Sequence, residues 1–166
     1  MLIGGSAGSI EALLTILPAL KPGLKFPIVI ILHRKYAPDS NLADLFTMKS
    51  SLPVSEVEEK ESIKPGRIYI APADYHLLFE KDGTFSLDFS EKVNFSRPSI
   101  DVSFESAAEI FDRQLVCILL SGANYDGVEG MKTALKYGAT LVAQKPESAA
   151  VPVMPLQAIK ALKIEN

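Results

Sequence analysis

A serine, a histidine and an aspartate, each placed just after an apolar run, are the residues of this chain best suited to chemistry. Ser6 lies in Gly4-Gly5-Ser6-Ala7-Gly8, directly after the short apolar stretch Met1–Ile3, and fits the pattern G-x-S-x-G. In a strand-to-helix turn that pattern has a physical meaning. Its glycines let the backbone turn sharply and lift the serine hydroxyl clear of the sheet, and the next helix offers amides and a positive dipole end to a developing oxyanion. His33 follows Phe26–Leu32, and Asp126 stands in the loop Ser121–Gly127 after Gln114–Leu120. Each has a plainer reading when taken alone. The glycine-rich turn could bind phosphate or only pack closely, a lone histidine is more often structural, and an aspartate before a helix start is an N-cap. A Walker pattern is absent, and G-x-G-x-x-G fails because its third position is Ser6, which lowers the nucleotide-binding reading.

The elements that must position these residues follow from hydrophobic periodicity. Phe26–Leu32 and Gln114–Leu120 read as strands buried on both faces, with further strands at Met1–Ile3, Pro53–Val57, Arg67–Ala71 and Thr140–Ala143. Helices are expected over Ser9–Leu20, over Asn41–Lys49 with Asp39 or Ser40 as cap, over Val128–Tyr137 and over Pro155–Leu162. A further helix carries Val102, Phe104, Ala107, Ala108 and Phe111 and starts with Ser96 as N-cap or Pro98 in the first turn. Lys81-Asp82-Gly83 between His76–Glu80 and Thr84–Phe89 signals an antiparallel hairpin. The fold class is therefore α/β, a doubly wound, mostly parallel sheet with an added hairpin. Sites in such sheets form outside the carboxyl ends of the strands, which is where Ser6, His33 and Asp126 all fall.

The other polar residues offer less. His76 enters the hairpin, away from that edge, and reads as structural or substrate-lining; Asp101 and Asp112 read as solvated on a helix face. Two separated histidines and one cysteine give no metal-ligand cluster, so no metal or other cofactor is expected, and Cys117 reads as a small core hydrophobe. The 166 residues carry 17 Lys+Arg against 20 Asp+Glu, a net charge of -3 that disfavours a nucleic-acid partner. The length suits one domain over 1–166. A single cysteine suits a reducing compartment, no apolar run is long enough to span a bilayer, and the N-terminus lacks the basic region of a signal peptide. A cytoplasmic protein is expected.

Taken together, Ile3-Gly4-Gly5-Ser6-Ala7-Gly8, Ile31-Leu32-His33, Ile68-Tyr69-Ile70-Ala71-Pro72, Arg97-Pro98-Ser99-Ile100-Asp101, Leu120-Ser121-Gly122 with Asp126-Gly127, and Met154-Pro155 have an order and spacing that resembles the catalytic domain of the CheB-type chemotaxis receptor methylesterases over nearly the whole chain. The resemblance implies Ser6 as nucleophile, His33 as general base and Asp126 as its orienting carboxylate. It also implies an oxyanion site of backbone amides, at Ala7 and at Ala123, where the family usually carries a methionine. Ala7 and Ser9 stand where Thr and Gly are common, and Ser96 replaces a frequent histidine.

The implied function is hydrolysis of glutamyl γ-methyl esters on chemotaxis receptors, with glutamine deamidation open to the same path. The implied partner is the helical bundle of a methyl-accepting receptor. Since Met1 opens the first strand, a receiver domain is expected from another chain. Arg34, Lys35 and Arg97 are candidates to receive an acidic receptor bundle, the plainer reading being solvated surface cations. Two other readings stay open at this point: a non-catalytic receptor-binding or scaffolding module on the same fold, and a Rossmann-like nucleotide binder.

Overall fold

The computed structural model describes residues 1–34 and 42–164. Six strands form a parallel sheet: β1 (Leu2–Gly5), β2 (Ile28–Leu32), β3 (Val54–Glu56), β4 (Ile68–Ile70), β7 (Val116–Leu119) and β8 (Thr140–Ala143), in the order β3-β4-β2-β1-β7-β8. Strands β5 (His76–Phe79) and β6 (Phe85–Asp88) pair antiparallel in a separate two-stranded sheet. The helices are α1 (Ser9–Ile16), α2 (Leu42–Lys49), α3 (Ile100–Phe111), α4 (Val128–Lys136) and α5 (Val153–Leu162). No described helix is long and apolar enough to cross a membrane.

The sheet is central because its strands carry apolar side chains to both faces. Along β1, Leu2 joins the cluster that holds Phe104 of α3, Met131 of α4 and Ala158 of α5, while Ile3 joins Leu13 of α1 and Phe46 of α2 on the other side. All five residues of β2 are buried, as a continuous β-branched run requires. The chain crosses from β1 to β2 in one direction and later places β7 on the other flank of β1, so the strand order reverses at β1. In doubly wound sheets the crevice at that reversal is the binding position.

The expected elements are present with shifted ends, and two expectations need correction. The strand expected over Gln114–Leu120 is β7, and it is not buried on both faces: Val116 and Ile118 are only half-covered, because α1 leaves that part of the sheet open. A cavity of about 570 Å³ lies there, between α1 and Ile118, Leu120 and Val142. The helix after Arg97-Pro98 starts at Ile100 with Ser99 as its cap, neither Ser96 nor Pro98. Ser96 is committed elsewhere, since its N–H and C=O both pair with Val93 in a tight turn. The expected caps Asp39 and Ser40, with Asn41, lie outside the described residues.

Helices α3 and α4 cross closely at Gly130. A Cβ there would stand 2.7 Å from the Phe104 Cβ, 2.8 Å from the Asp101 carbonyl oxygen and 2.9 Å from the Asp101 Cα, none of which is a flexible side-chain end. Gly130→Ala gains about 1 kcal/mol of helix propensity but forces the helices apart. The expected net effect is a loss of about 1–3 kcal/mol, read as a lower urea midpoint with an unchanged slope.

Candidate active site

The turn after β1 is fixed by short-range bonds. Ser9, fully buried at the start of α1, donates from both its N–H (3.0 Å) and its hydroxyl (2.6 Å) to the Ser6 carbonyl. The Ser6 N–H donates to the Ser121 carbonyl at 2.9 Å, tying the ends of β1 and β7 together. Gly8 caps α1 at φ 77°, a left-handed conformation that glycine adopts without strain, and a Cβ there would also press on Ala150 at 2.6 Å. Buried Ser121 donates to the Ala7 carbonyl at 2.7 Å and accepts from the Val151 N–H at 2.8 Å, so the turn is held from the far side as well. The Ser6 hydroxyl has no hydrogen-bond partner among the described residues, and the same holds for the N–H groups of Ala7 and Ala123.

His33 extends from the end of β2, its N–H bonded to the Gly5 carbonyl at 3.2 Å. Its Nε2 donates to Asp126 Oδ2 at 2.6 Å. The Nδ1 atom faces the Ser96 hydroxyl at 3.3 Å and the Asn124 amide at 3.4 Å. Ser6 and His33 line one small cavity of about 120 Å³, and His33 also lines a second of about 250 Å³ with Arg34, Ser96 and Arg97.

Asp126 is wholly buried, and its carboxylate is satisfied by another helix than its own. Gly127 caps α4, whereas Asp126 accepts from the first turn of α3: Ile100 N–H at 2.7 Å, Asp101 N–H at 3.1 Å and the Ser99 hydroxyl at 2.8 Å. The N-cap expectation therefore holds in kind but for the wrong helix. Asp101 returns the favour: its Oδ1 accepts from Gly127 N–H at 2.8 Å and Gly130 N–H at 2.7 Å at the start of α4. The expectation that Asp101 is solvated is wrong, since it is 5% exposed; the amides at the start of α4 draw it inward. Asp112 is exposed as expected.

Sequence reasoning named Ser6, His33 and Asp126, and the structure brings all three to one edge. It did not find Ser99, Asn94, Asp101 or Asn124. Asp101 falls at helical spacing with buried Phe104 and Ala108, a signal that it shares their face. His76 is structural: its Nδ1 accepts from the Ser99 N–H at 3.1 Å and its Nε2 donates to the Glu91 carbonyl at 2.9 Å. The two arginines are engaged within the chain. Arg34 pairs with Glu56 and reaches the Ala71 carbonyl at 3.4 Å. Arg97 stacks on Phe89 at 3.9 Å and donates to the carbonyls of Phe89 and Ser90. Lys35 lies outside the described residues.

Electrostatics separate the two carboxyls. Burial alone would raise Asp126, but the His33 hydrogen bond and the amides of Ile100 and Asp101 outweigh it and hold the carboxyl well below its usual range. Burial pushes Asp101 up, against the Gly130 and Gly127 amides, and the nearby Asp126 charge adds to the rise.

A parallel α/β sheet with a hydroxyl, an imidazole and a buried anionic carboxylate at its strand-order reversal defines a class, that of proteins laid out for acyl transfer at a topological switch point. The comparisons place the chain within it: the family model described as CheB methylesterase matches residues 1–165. The chain belongs to the CheB methylesterase family. A relative from Leptospira interrogans, named "Putative protein-glutamate methylesterase/protein-glutamine glutaminase", is 44% identical over 99% of this chain and 86% of its own length. The Thermotoga maritima protein-glutamate methylesterase/protein-glutamine glutaminase is 36% identical over 96% of this chain, which spans 47% of that protein. The crystal structure of the Thermotoga maritima CheB methylesterase catalytic domain matches with a TM-score of 0.92 at 36% identity, covering 96% of this chain and 86% of that one.

The two carboxyl shifts have opposite signs in stability. Asp126, lowered in the fold, contributes fully above the ordinary carboxylate value near 4, and its contribution is lost as pH falls through its native value. Asp101, raised in the fold, contributes fully below that ordinary value, and its contribution is lost as pH rises toward its native value. Urea unfolding from about pH 3 to about pH 8 should show a shallower acid limb for Asp126→Asn and a smaller decline toward neutrality for Asp101→Asn.

Proposed function

We propose that this chain hydrolyses glutamyl γ-methyl esters on a methyl-accepting chemotaxis receptor, with Ser6 as nucleophile. The observation that carries the reading is the 2.6 Å bond between His33 Nε2 and the buried Asp126 carboxylate, beside the serine turn. That bond fixes the tautomer: with its proton on Nε2, the neutral imidazole keeps Nδ1 unprotonated, with only long contacts to the Ser96 hydroxyl and the Asn124 amide, to take the serine proton. Ser6 and His33 share a cavity without a direct hydrogen bond, and such bonds often tighten only when substrate is bound.

Ser6 Oγ attacks the γ-carbonyl carbon as its proton passes to His33 Nδ1, and the imidazolium is stabilised by Asp126. The tetrahedral oxyanion is received by the N–H groups of Ala7 and Ala123, which have no other partner among the described residues. Collapse expels methanol, which takes the proton from His33. Water, deprotonated by the same nitrogen, then attacks the acyl-serine and releases glutamate with Ser6 restored. A glutamine side chain follows the same path and releases ammonia.

The chain acts in this reading as one catalytic domain in the cytoplasm, on receptors named only by their chemistry, a helical bundle bearing methylated glutamates. Arg34 and Arg97 border the cavity beside His33 and favour an acidic surface at its mouth. The Leptospira and Thermotoga relatives, named for the same reaction, support the assignment.

Methanol release from methyl-labelled receptor tests it. Ser6→Ala should abolish turnover while stability moves by less than about 1 kcal/mol, since the hydroxyl has no partner to lose. Asp126→Asn should lower turnover roughly 10²–10⁴-fold, and His33→Gln at least as far. The double variant should add little, because the two act as a unit. His76→Gln should stay within about tenfold of the parent. Methanol release undiminished in Ser6→Ala would rule out the acyl-serine path.

A further inference from the structure

Asp126 and Asp101 are two carboxylates side by side in the interior, and their crossed caps do not by themselves explain why both stay in place. Like charges in a buried site oppose each other's ionisation. Burial pushes Asp101 up while Asp126 is held low, and the proposed reaction needs that division kept. One side chain touches both. Asn94 donates from Nδ2 to Asp101 Oδ2 at 2.8 Å and to Asp126 Oδ1 at 3.2 Å. An amide nitrogen has two N–H donors, one for each carboxylate, and carries no charge.

The backbone at this position explains the residue type. Asn94 has φ 51° and Phe95 φ 61°, and the turn is closed by the bonds between Val93 and Ser96. Asparagine is one of the few non-glycine residues that adopt this left-handed conformation readily. Glycine would fit the turn without an amide. Aspartate would fit it and bring a third negative charge. Asn94 thus meets both the conformational and the chemical demand, and the same turn puts the Ser96 hydroxyl 3.3 Å from His33 Nδ1.

We propose that Asn94 is a positioning residue, whose amide bridges Asp101 and Asp126 and so keeps the Asp126 carboxylate anionic and turned toward His33. This rests on the reading of Ser6, His33 and Asp126 as the hydrolytic set. The titratable groups that face Asp126 are His33 at the end of β2, Asp101 on α3 and, one turn further along α3, Glu105. Of these the bridge touches Asp101 directly, and it reaches His33 only through Asp126. Removing it takes one donor from each carboxylate, so the charged form of Asp126 loses a hydrogen bond and its hold toward His33 loosens.

Asn94→Gly, which keeps the turn and loses the amide, and Asn94→Asp, which keeps the turn and replaces the donor by a carboxylate, separate the two demands. The first measurement is the Asp126 carboxyl titration, followed by carbon NMR on the selectively labelled chain; it needs no turnover. The second is the pH profile of methanol release. Asn94→Gly should move the Asp126 titration upward by about one pH unit and, because a less firmly held carboxylate stabilises the His33 imidazolium less, move the acid limb of the profile downward, with turnover on the plateau down about tenfold. Asn94→Asp should move the Asp126 titration further. Circular dichroism reports whether each variant folds, and the aspartate variant answers the question if the glycine variant does not fold. An Asp126 titration and acid limb unmoved in a folded variant, or turnover lowered equally at every pH, would overturn the proposal. A wild-type chain that releases no methanol, with the NMR shift still present, would instead sink the esterase reading and leave the bridge standing.

Discussion

A carboxylate without access to water has to find its hydrogen bonds inside the protein, and Asp126 finds them at the beginning of a helix that is not its own. The first turn of α3 gives it two amides and a hydroxyl, and Asp101 from that same turn caps α4 in exchange. The two helices are therefore joined at their N-terminal ends by reciprocal caps, and both positive dipole ends point into one small volume. The arrangement demands that α3 and α4 lie close, which is why Gly130 has Asp101 backbone against it. It also demands that Ser99 be aimed, a task given to His76 from the hairpin. Sheet, hairpin and both helices meet at this one charge.

Much of this was legible before any coordinates. The strands announce themselves because runs such as Ile28–Leu32 are β-branched and end abruptly at polar or glycine-rich segments, and every parallel strand of that kind must present its carboxyl end to the same edge. Reading the residues at those ends was enough to select Ser6, His33 and Asp126. The helix cap at Ser99 was missed because Ser96, Pro98 and Ser99 all satisfy local rules, and only the pairing of Ser96 with Val93 removes the first from contention. Asp101 was misjudged for a related reason. An acidic residue in a first helical turn is favourable in solvent, and nothing nearby in sequence says that the start of α4 lies over it. Asn94 was invisible because its partners are 7 and 32 positions away and its backbone conformation is not written in any periodicity.

The proposed reaction divides its work between side chains and backbone. In that reading Ser6, His33 and Asp126 depend on their chemical identity, whereas the amides at Ala7 and Ala123 depend only on where the chain runs, so those positions can carry whatever side chain the surroundings allow. What they need instead is a rigid path, supplied by Ser121 between Ala7 and Val151 and by Gly122, whose carbonyl accepts from Met154 at 2.9 Å. These tethers come from the ends of β7 and α5, far along the chain from the serine turn.

Cys117, the single thiol of the chain, lies in β7 directly beside β1, opposite Leu2. It has no exposed surface, and burial pushes its ionisation up to about 12. Thiol reagents attack the thiolate, so in the closed sheet they meet neither the right form nor a way in. Alkylation at this position can proceed only through molecules whose central strands have parted. The chain thereby carries a built-in clock for the opening of its own core, readable by mass after brief labelling and needing no introduced probe.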